Sequence, residues 1–394
     1  MNLEIQTEKL IGIRRHLHAH PELSFQESKT ALFIEAELTA AGYTTTRCAD
    51  TGVVAVLEGA HPGPTLLFRA DIDALPIHET NHVAYRSTEP GVMHACGHDV
   101  HTTIGLGIAL ALAGQKDLLH GRIKFVFQPA EEASPVDAPI GAERMVVEGV
   151  LTNPDVDAAF AFHVMPTLEV GKIGYTGGPV WARSDLVEIE IEGMKTHAAY
   201  PHEGVDAVVV AAHVVTALQT VTSRRVDARD ACVLSIGKLE AGNSYNIIAD
   251  RAKLTGILRT LSDNAADLAM AEIHKIVQGI CAALSASGSV TITPGARLTA
   301  NDVALERRVV DALTEELGAE GIVPHLPQMG AEDFASFSRR VPACYLFLGV
   351  RNEDRGITHM LHTPNFDVDE ACIPLAVKAM AKALLKVGRT WEKT

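Results

Sequence analysis

The chain has 394 residues and a formal net charge of -15, from 49 acidic and 34 basic side chains. Hydrophobic residues make up 47% and charged residues 21% of it, as in soluble globular proteins and unlike disordered ones. No cluster of Lys and Arg stands out, and no apolar run approaches the ~18 residues of a membrane span. We therefore expect two domains, no nucleic-acid or membrane partner, and a cytoplasmic location.

The first half of the chain alternates amphipathic helices with short apolar strands. Helices are predicted over residues 7–20, 29–41 and 100–112. Strands are predicted in VVAVLEG, TLLFRADIDALP, GRIKFVFQPAEE and VDAAFAFHV. This alternation favours an α/β domain with a mixed sheet that is covered on both faces.

The pattern changes near Arg183, where DLVEIEIEG alternates strictly between polar and apolar residues. From there the predicted order is strand, helix, strand, strand, helix, strand, which is the ferredoxin-like plan of an α+β domain. After about residue 294 the pattern of helices and buried strands returns, as in ACYLFLGV. We expect one α/β domain formed by 1–182 and 295–394, interrupted by an inserted domain, 183–294.

Candidate metal ligands crowd the start of the third predicted helix, which is otherwise built of small apolar residues. They are His94, Cys96, His98 and His101. Further candidates end neighbouring predicted strands, where open α/β sheets place their sites, or stand in a late proline-bounded turn. They are Glu131, Glu132, His163 and His362. Five of these residues form the predicted ligand set: Cys96, His98, Glu132, His163 and His362. Five ligands are too many for one tetrahedral zinc ion, but they suit two metal ions that each keep an open coordination position.

Each candidate also has an ordinary structural interpretation. An isolated histidine at a strand end is more often a hydrogen-bonded structural residue, and Glu131–Glu132 more often a solvated turn. For the set these interpretations fail, because an apolar strand that ends in two carboxylates has a large desolvation cost unless cations neutralise it. Asp71 and Asp73 either accept the ring N–H groups of ligating histidines or cap a turn. His94 and His101 are interpreted as structural residues or as supports of the ligands.

Eight motifs cover nearly the whole chain: HPELSFQE, RADIDALPI, GVMHACGHDVHT, FQPAEE, FHV, THAAYPHEGVDA, MGAEDF and HTPNFDVDE. In these motifs the chain resembles a branch of metallopeptidase family 20. The branch contains hippurate hydrolase, bacterial N-acyl-amino-acid amidohydrolases and plant indole-acetyl-amino-acid hydrolases. The resemblance implies an aminopeptidase-like domain with two divalent ions, Zn or Mn, with Co or Ni as alternatives. It implies that Cys96 bridges the ions, that Glu131 is the catalytic carboxylate, and that an N-acyl amino acid is the substrate.

The resemblance also assigns the inserted domain as a lid and as the contact surface of a homodimer or a higher homo-oligomer. His197 matches a histidine that helps polarise the scissile carbonyl, often across the dimer, although the sequence alone equally allows a turn residue. Asn246 and Arg259 match positions that hold the substrate carboxylate, and the planar fork of Arg suits that task. Two departures from the family pattern bear on substrate preference: the longer segment ASPVDAPIGAERM after Glu132, and Ala249 where relatives commonly carry proline.

Three alternatives stay open. The same metal core would serve a dipeptidase or carboxypeptidase. A cysteine enzyme with Cys96 as nucleophile and His98 as base leaves Glu131 and Glu132 unused, and residues i and i+2 seldom form such a pair. A structural zinc calls for four closed ligands, typically paired cysteines, whereas the six cysteines here lack paired spacing.

Overall fold

The computed structural model describes residues 3–133, 139 and 141–392. Its helices are α1 Thr7–Ala19, α2 Ser28–Ala40, α3 His98–Ala113, α4 Gly141–Val147, α5 Ala207–Thr220, α6 Asp263–Ala283, α7 Val303–Leu317, α8 Ala335–Ser338 and α9 Cys372–Arg389. Its strands are β1 Thr45–Cys48, β2 Gly52–Glu58, β3 His61–Asp71, β4 His120–Gln128, β5 Ala158–Glu169, β6 Ile173–Tyr175, β7 Pro179–Trp181, β8 Arg183–Glu192, β9 Cys232–Ala241, β10 Arg251–Thr260, β11 Ser287–Pro294, β12 Thr299–Ala300, β13 Ile322–Pro324 and β14 Ala343–Arg351. Of the longer segment after Glu132, residues 134–138 and 140 lie outside the described residues.

The chain forms two compact units. Unit 1 contains Met1–Gly178, Ala300–Leu326 and Asp333–Thr394, and unit 2 contains Pro179–Thr299 and Pro327–Glu332. A short segment near residue 330 thus returns to unit 2 after the chain has re-entered unit 1. The domain boundaries expected at 182/183 and 294/295 stay a prediction, because compactness alone does not define an independently folding domain.

Unit 1 is built on a mixed sheet, which confirms the predicted α/β class. Among the described residues its strand order is β1-β2-β4-β3-β5-β14-β6-β13. The pairs β3–β4, β3–β5 and β5–β14 are parallel, whereas β1–β2, β2–β4 and β6–β14 are antiparallel. Parallel neighbours end at the same edge, so β3 ends at Asp71 opposite Gln128, the last residue of β4. Glu131 and Glu132 follow directly at this edge.

The strand β5 is longer than the sequence predicts. VDAAFAFHV places its end at His163, but β5 continues to Glu169. The reason is that it goes on pairing with β14, from His163 opposite Phe347 to Glu169 opposite Arg351. His163 therefore projects from within a hydrogen-bonded strand, which restricts its backbone more tightly than a strand end would.

The helix α3 packs closely because of its small residues. A Cβ atom on Gly107 would lie 2.5 Å from Cγ2 of Val377 in α9, a distance that real side chains do not tolerate. On another side of α3, Gly105 faces Phe127 of β4, with a would-be Cβ distance of 3.0 Å. The Gly and Ala content of α3 thus lets it lie between the sheet and α9. The start of α3 is thereby held at the edge where β3 and β4 end.

Unit 2 contains an antiparallel sheet in the order β11-β8-β10-β9. With α5 and α6 this gives β-α-β-β-α-β, so the predicted ferredoxin-like order is confirmed. The alternation in β8 has a direct cause. Val187, Ile189 and Ile191 are buried in the core shared with the two helices, whereas Glu190 and Glu192 between and after them are exposed.

One helical stretch among the described residues, Ala207–Arg225, is long and apolar enough to cross a membrane by length and composition. It consists of α5 and the π-helical turn Val221–Arg225 that follows it. Its buried residues recur at helical spacing, as Val210, Val214 and Leu218 do, and they belong to the core of unit 2. A core helix passes the same test, so the finding is weak evidence for a membrane span.

Candidate metal centre and active site

A tight turn brings the predicted ligands of the α3 entrance against β5. Gly97 precedes α3 with φ 84°, in the left-handed region that favours glycine. A Cβ atom there would lie 2.4 Å from Cγ2 of Val164, the residue after His163. Glycine therefore allows Cys96 and His98 to approach β5. From the C-terminal part of the chain, the His362 backbone N–H donates to the Ala95 carbonyl at 2.8 Å.

The five predicted ligands come together around Cys96. Its Sγ lies 3.4 Å from Nε2 of His163 and 3.3 Å from Nε2 of His362. Oε1 of Glu132 lies 3.3 Å from Nε2 of His362 and 3.9 Å from Nε2 of His98. The cluster contains two overlapping three-residue groups, Cys96–His98–His163 and Cys96–Glu132–His362. The thiol is the member that these two groups share.

Hydrogen bonds on the far side of two rings decide which nitrogen faces the cluster. Nδ1 of His163 lies 2.7 Å from the Val164 carbonyl, which only accepts, so this nitrogen carries the proton. Nδ1 of His98 lies 3.2 Å from Oδ1 of Asp73 and donates to it in the same way. The neutral ring of His163 thus presents an unprotonated Nε2, and His98 would do the same once a cation replaces its Nε2 proton. Burial lowers the pKa of His163 well below its usual value, which favours the neutral ring.

Two buried atoms of the cluster support cation binding. Within the described residues, Nε2 of His98 and Oε1 of Glu132 are buried and make no hydrogen bond. An unsatisfied buried polar atom costs about 1–3 kcal/mol, and more for a charged group. Imidazole nitrogen, carboxylate oxygen and thiolate sulfur are ligands of zinc and related divalent ions. Divalent cations would satisfy both atoms, so these residues fit a metal centre.

The electrostatics of the cluster agree with this interpretation. Burial raises the pKa of the Cys96 thiol well above its usual value, and the carboxylates of Glu132 and Glu131 raise it further. Burial alone would lower the pKa of His98, but Asp71 and two other carboxylates raise it to about 10. Both groups therefore stand in an excess of negative charge. A bound cation would compensate this charge and take the place of the protons.

The two predicted supporting carboxylates have different partners. Asp73 accepts from the ligand candidate His98, as described above. Asp71 lies 2.6 Å from Nδ1 of His101 and 2.7 Å from Nη1 of Arg69, and 3.6 Å from Nε2 of His98. Burial alone would raise the pKa of Asp71, but Arg69, His98 and the hydrogen bond from His101 hold it well below the usual range. Sequence reasoning missed Arg69 and gave His101 no defined role. The spacing of His98 and His101, which puts them on one helix face, was the available signal.

Glu131 lies at the same cluster. Its carboxylate belongs to a group with His98 and Glu132 in which the nearest ligand atoms are all within 4.8 Å of one another. The side chain is half-buried, on the turn directly after β4. The predicted catalytic carboxylate is thus adjacent to the predicted ligands.

The three predicted lid residues lie in unit 2. His197 is neighboured by Asn246: the backbone N–H of Ala198 donates to the Asn246 carbonyl at 3.0 Å, and both side chains are at least partly exposed. Nδ1 of His197 accepts from the Ala199 N–H at 3.1 Å. Arg259, on β10, has a buried Nη1 that makes no hydrogen bond with the described residues, and burial lowers its pKa. An unpaired guanidinium nitrogen of this kind is suited to pair with an anion.

The surroundings of Cys96 argue against a cysteine nucleophile. An activated thiol has a lowered pKa and a histidine base within reach. Here the pKa is raised, and the hydrogen-bond contacts of the sulfur are with His163 and His362 rather than with His98, the base that the alternative requires. The thiol is better suited to bind a cation.

Known proteins resemble the chain over most of its length. Residues 67–386 match the model of peptidase family M20/M25/M40. N-acetyl-L-cysteine deacetylase of Bacillus subtilis (strain 168) is 37% identical over 374 residues, which cover 95% of this chain and 86% of the relative. Thermostable carboxypeptidase 2 of Saccharolobus solfataricus is 35% identical over 381 residues, with coverages of 96% and 94%. The crystal structure of Bacillus subtilis YxeP, described as a dinuclear metal-binding peptidase of the M20 family, gives a TM-score of 0.86 at 33% identity, with coverages of 98% and 99%.

Proposed function

Because the chain belongs to peptidase family M20/M25/M40, we propose that it hydrolyses N-acyl amino acids to a carboxylic acid and a free amino acid. The broader activity is metal-dependent hydrolysis of an amide bond. One observation carries the proposal: the five ligand candidates and Glu131 converge on a single cluster with buried, unsatisfied donor atoms.

The proposed metal ligands are Cys96, His98, Glu132, His163 and His362, with Cys96 shared between two divalent ions. The shared position of the thiol in both three-residue groups supports this assignment. Thiolate and imidazole favour zinc, whereas carboxylates and open positions also suit manganese, with cobalt or nickel as alternatives. When bound, such ions supply Lewis acidity, which lowers the pKa of water towards neutrality and polarises the amide carbonyl.

Glu131 is the proposed proton carrier. Its carboxylate would accept a proton from the attacking water and give it to the departing nitrogen, which is a poor leaving group unless it is protonated. Its position beside Glu132 and His98 supports this role, because the proton has to be accepted where the water is activated. General acid–base catalysis of this kind contributes about 10²–10⁴-fold to the rate.

The proposed roles of unit 2 are orientation and charge stabilisation. Arg259 and Asn246 would hold the carboxylate of the amino-acid part, and His197 would donate to the carbonyl oxygen as negative charge develops on it. The unsatisfied Nη1 of Arg259 supports a role in anion binding. For the quaternary structure we propose a homodimer in which unit 2 forms the interface.

A carboxypeptidase or dipeptidase activity is the second candidate. The relative named thermostable carboxypeptidase 2 favours it, at 35% identity over 381 residues. Both activities release an amino acid with a free carboxylate and would use the same metal ligands. The two activities differ on the acyl side of the scissile bond. The substrate of an N-acyl amino acid hydrolase carries a simple acyl group there, whereas that of a carboxypeptidase or dipeptidase carries a peptide or an amino acid with a free amine.

A substrate panel tests the proposal. The metal-stripped enzyme is reloaded with Zn, Mn, Co or Ni and assayed with N-acetyl, N-benzoyl and indole-acetyl amino acids, and with matched dipeptides and blocked peptides. We expect the acyl amino acids to have the highest kcat/KM, and chelation to abolish activity while the circular dichroism of the folded chain persists.

The C-terminal amide of the best substrate is the matched control, and Arg259→Ala should reduce the preference for the acid over this amide. A preference for peptides would instead establish the carboxypeptidase candidate, and full activity after chelation would contradict both.

A further inference from the structure

The turn that carries Glu131 has an unusual backbone conformation. Ala130, the residue before it, is buried and has φ 54°, in the left-handed region that non-glycine residues rarely adopt. Such a conformation persists where the surrounding contacts determine it. The direction of the Glu131 side chain depends on it, since the peptide of Ala130 sets where the chain turns after β4.

A buried carboxylate from a distant segment holds this peptide. Oε1 of Glu27 accepts the backbone N–H of Ala130 at 2.9 Å, and Oε2 accepts the Thr51 hydroxyl at 2.7 Å. Glu27 is fully buried. Burial raises the pKa of its carboxyl, so the fold keeps an acid where ionisation is unfavourable. The two hydrogen bonds satisfy one oxygen each.

The peptide on the other side of Glu131 is held in the same way. Oδ2 of Asp73 accepts the backbone N–H of Glu132 at 3.0 Å and the hydroxyl of Ser24 at 2.7 Å. The backbone N–H groups of Ala130 and Glu132, the residues on either side of Glu131, thus both donate to buried carboxylates. Ser24 and Glu27 belong to one short segment between α1 and α2. This segment precedes residue 67, where the family match begins.

We propose that Glu27 is a positioning residue, which holds the Ala130 peptide so that the Glu131 carboxylate faces the reacting groups. The proposal builds on the catalytic role of Glu131 stated above. Glu27 is buried from solvent, and its side chain is hydrogen-bonded to Thr51 and to the Ala130 backbone rather than to a predicted ligand. It would therefore act on Glu131 through the backbone of Ala130. Oε1 of Glu27 can accept the Ala130 N–H whether the carboxyl is ionised or not, so the hydrogen bond does not depend on its charge.

Two variants of similar length separate hydrogen bonding from packing. Glu27→Gln keeps an oxygen that accepts the Ala130 N–H, and its amide group can donate to the Thr51 hydroxyl. Glu27→Met fills similar space without an acceptor. The control is Thr51→Val, which removes the other hydrogen bond of Glu27 and leaves the one to Ala130. Glu27→Asp, one methylene too short for Ala130, replaces the methionine variant if that chain does not fold.

The metal-loaded variants are compared by kcat, KM, metal content, thermal unfolding and hydrogen exchange of residues 128–133. We expect Glu27→Met to lower kcat at least about tenfold, with KM and metal content close to wild type and faster exchange in this segment. Glu27→Gln should retain most of kcat. Thr51→Val should unfold at a lower temperature but keep kcat and the exchange of the segment.

Three results would overturn the proposal: wild-type kcat in the folded methionine variant, an equal loss in the glutamine variant, or an equal loss in Thr51→Val. The last would indicate a general loosening rather than positioning. Glu131→Gln is included as a reference. If it stays active, the proposed function fails, whereas the exchange data still decide whether Glu27 holds the turn.

Discussion

The backbone N–H of Val164 donates to Nε2 of His101 at 2.9 Å. Since an N–H group cannot accept, this ring is neutral and carries its proton on Nδ1, which lies 2.6 Å from Oδ1 of Asp71. His101 thus connects the backbone beside His163 to the end of β3. The tautomer follows from the hydrogen bonds. Because one ring nitrogen donates and the other accepts, different substitutions can remove the two hydrogen bonds one at a time.

His101→Asn places a donor near the Nδ1 position, whereas His101→Gln places an acceptor near the Nε2 position. We expect the asparagine variant to bind metal about 10–100-fold more weakly than wild type, the range for loss of a support behind a ligand. The glutamine variant should lose less, because the Val164 N–H keeps its acceptor next to His163. Metal-chelator competition measures both affinities. Equal affinities in the two variants would mean that the Val164 hydrogen bond does not position His163.

Glu131→Gln and Glu132→Gln form a matched pair of neighbours. The first should keep its metal and lower kcat at least ~10²-fold, because an amide cannot carry the proton. The second should lose metal, because a neutral amide is a poorer ligand than a carboxylate. Elemental analysis and steady-state kinetics distinguish the two. Metal loss in the first variant, or metal retention in the second, would exchange the proposed roles.

Cys96→Ser should weaken binding of the metal pair and shift the preference away from soft ions. A hydroxyl is a harder and more weakly donating ligand than a thiolate. Titration with Zn and with Mn, each followed by calorimetry, gives the two affinities. Two ions bound as tightly as in wild type would exclude a bridging thiolate.

His197→Ala should lower kcat without loss of metal, as expected for an interaction made mainly in the transition state. If this histidine acts across a homodimer, mixing inactive His197→Ala with inactive Glu131→Gln should restore partial activity. One site of the mixed dimer would then have both an intact Glu131 and an intact His197. Subunit exchange is verified separately with differently tagged chains. Exchange without recovery would place His197 in its own subunit's site or in none.

His18 should make stability depend on pH. Burial alone, with the charge of Arg14, would lower its pKa, but Asp99 and Glu79 raise it above the ordinary value. A raised pKa means that the protonated ring stabilises the fold below about pH 6.5, its unfolded value. This contribution is lost as the pH rises through the folded value. His18→Gln, saturated with metal, should therefore lose more unfolding free energy at pH 6 than at pH 9 by urea titration. An equal loss at both pH values would mean that His18 is not protonated in the fold.

The secondary structure was predictable from the sequence because periodicity reports burial. The strict alternation of β8 reflects one buried and one exposed face, and it led directly to the ferredoxin-like order of unit 2. The end of β5 was not predictable in the same way. It depends on continued pairing with β14, almost two hundred residues later in the chain, and no local pattern encodes a partner strand.

The sequence by itself determined that acidic residues meet at the edge of the sheet, because hydrophobic strands that end in Asp or are followed by Glu place them there whatever the remaining packing. The tertiary structure decided what each of these groups does. Only packing brings the Glu27 carboxylate to the Ala130 N–H across 103 positions of the chain, and only the Val164 N–H determines the tautomer of His101. The physical reason is that burial periodicity is a local property of the chain. The partner that satisfies a buried polar group, in contrast, is set by the long-range hydrogen bonds of the folded molecule.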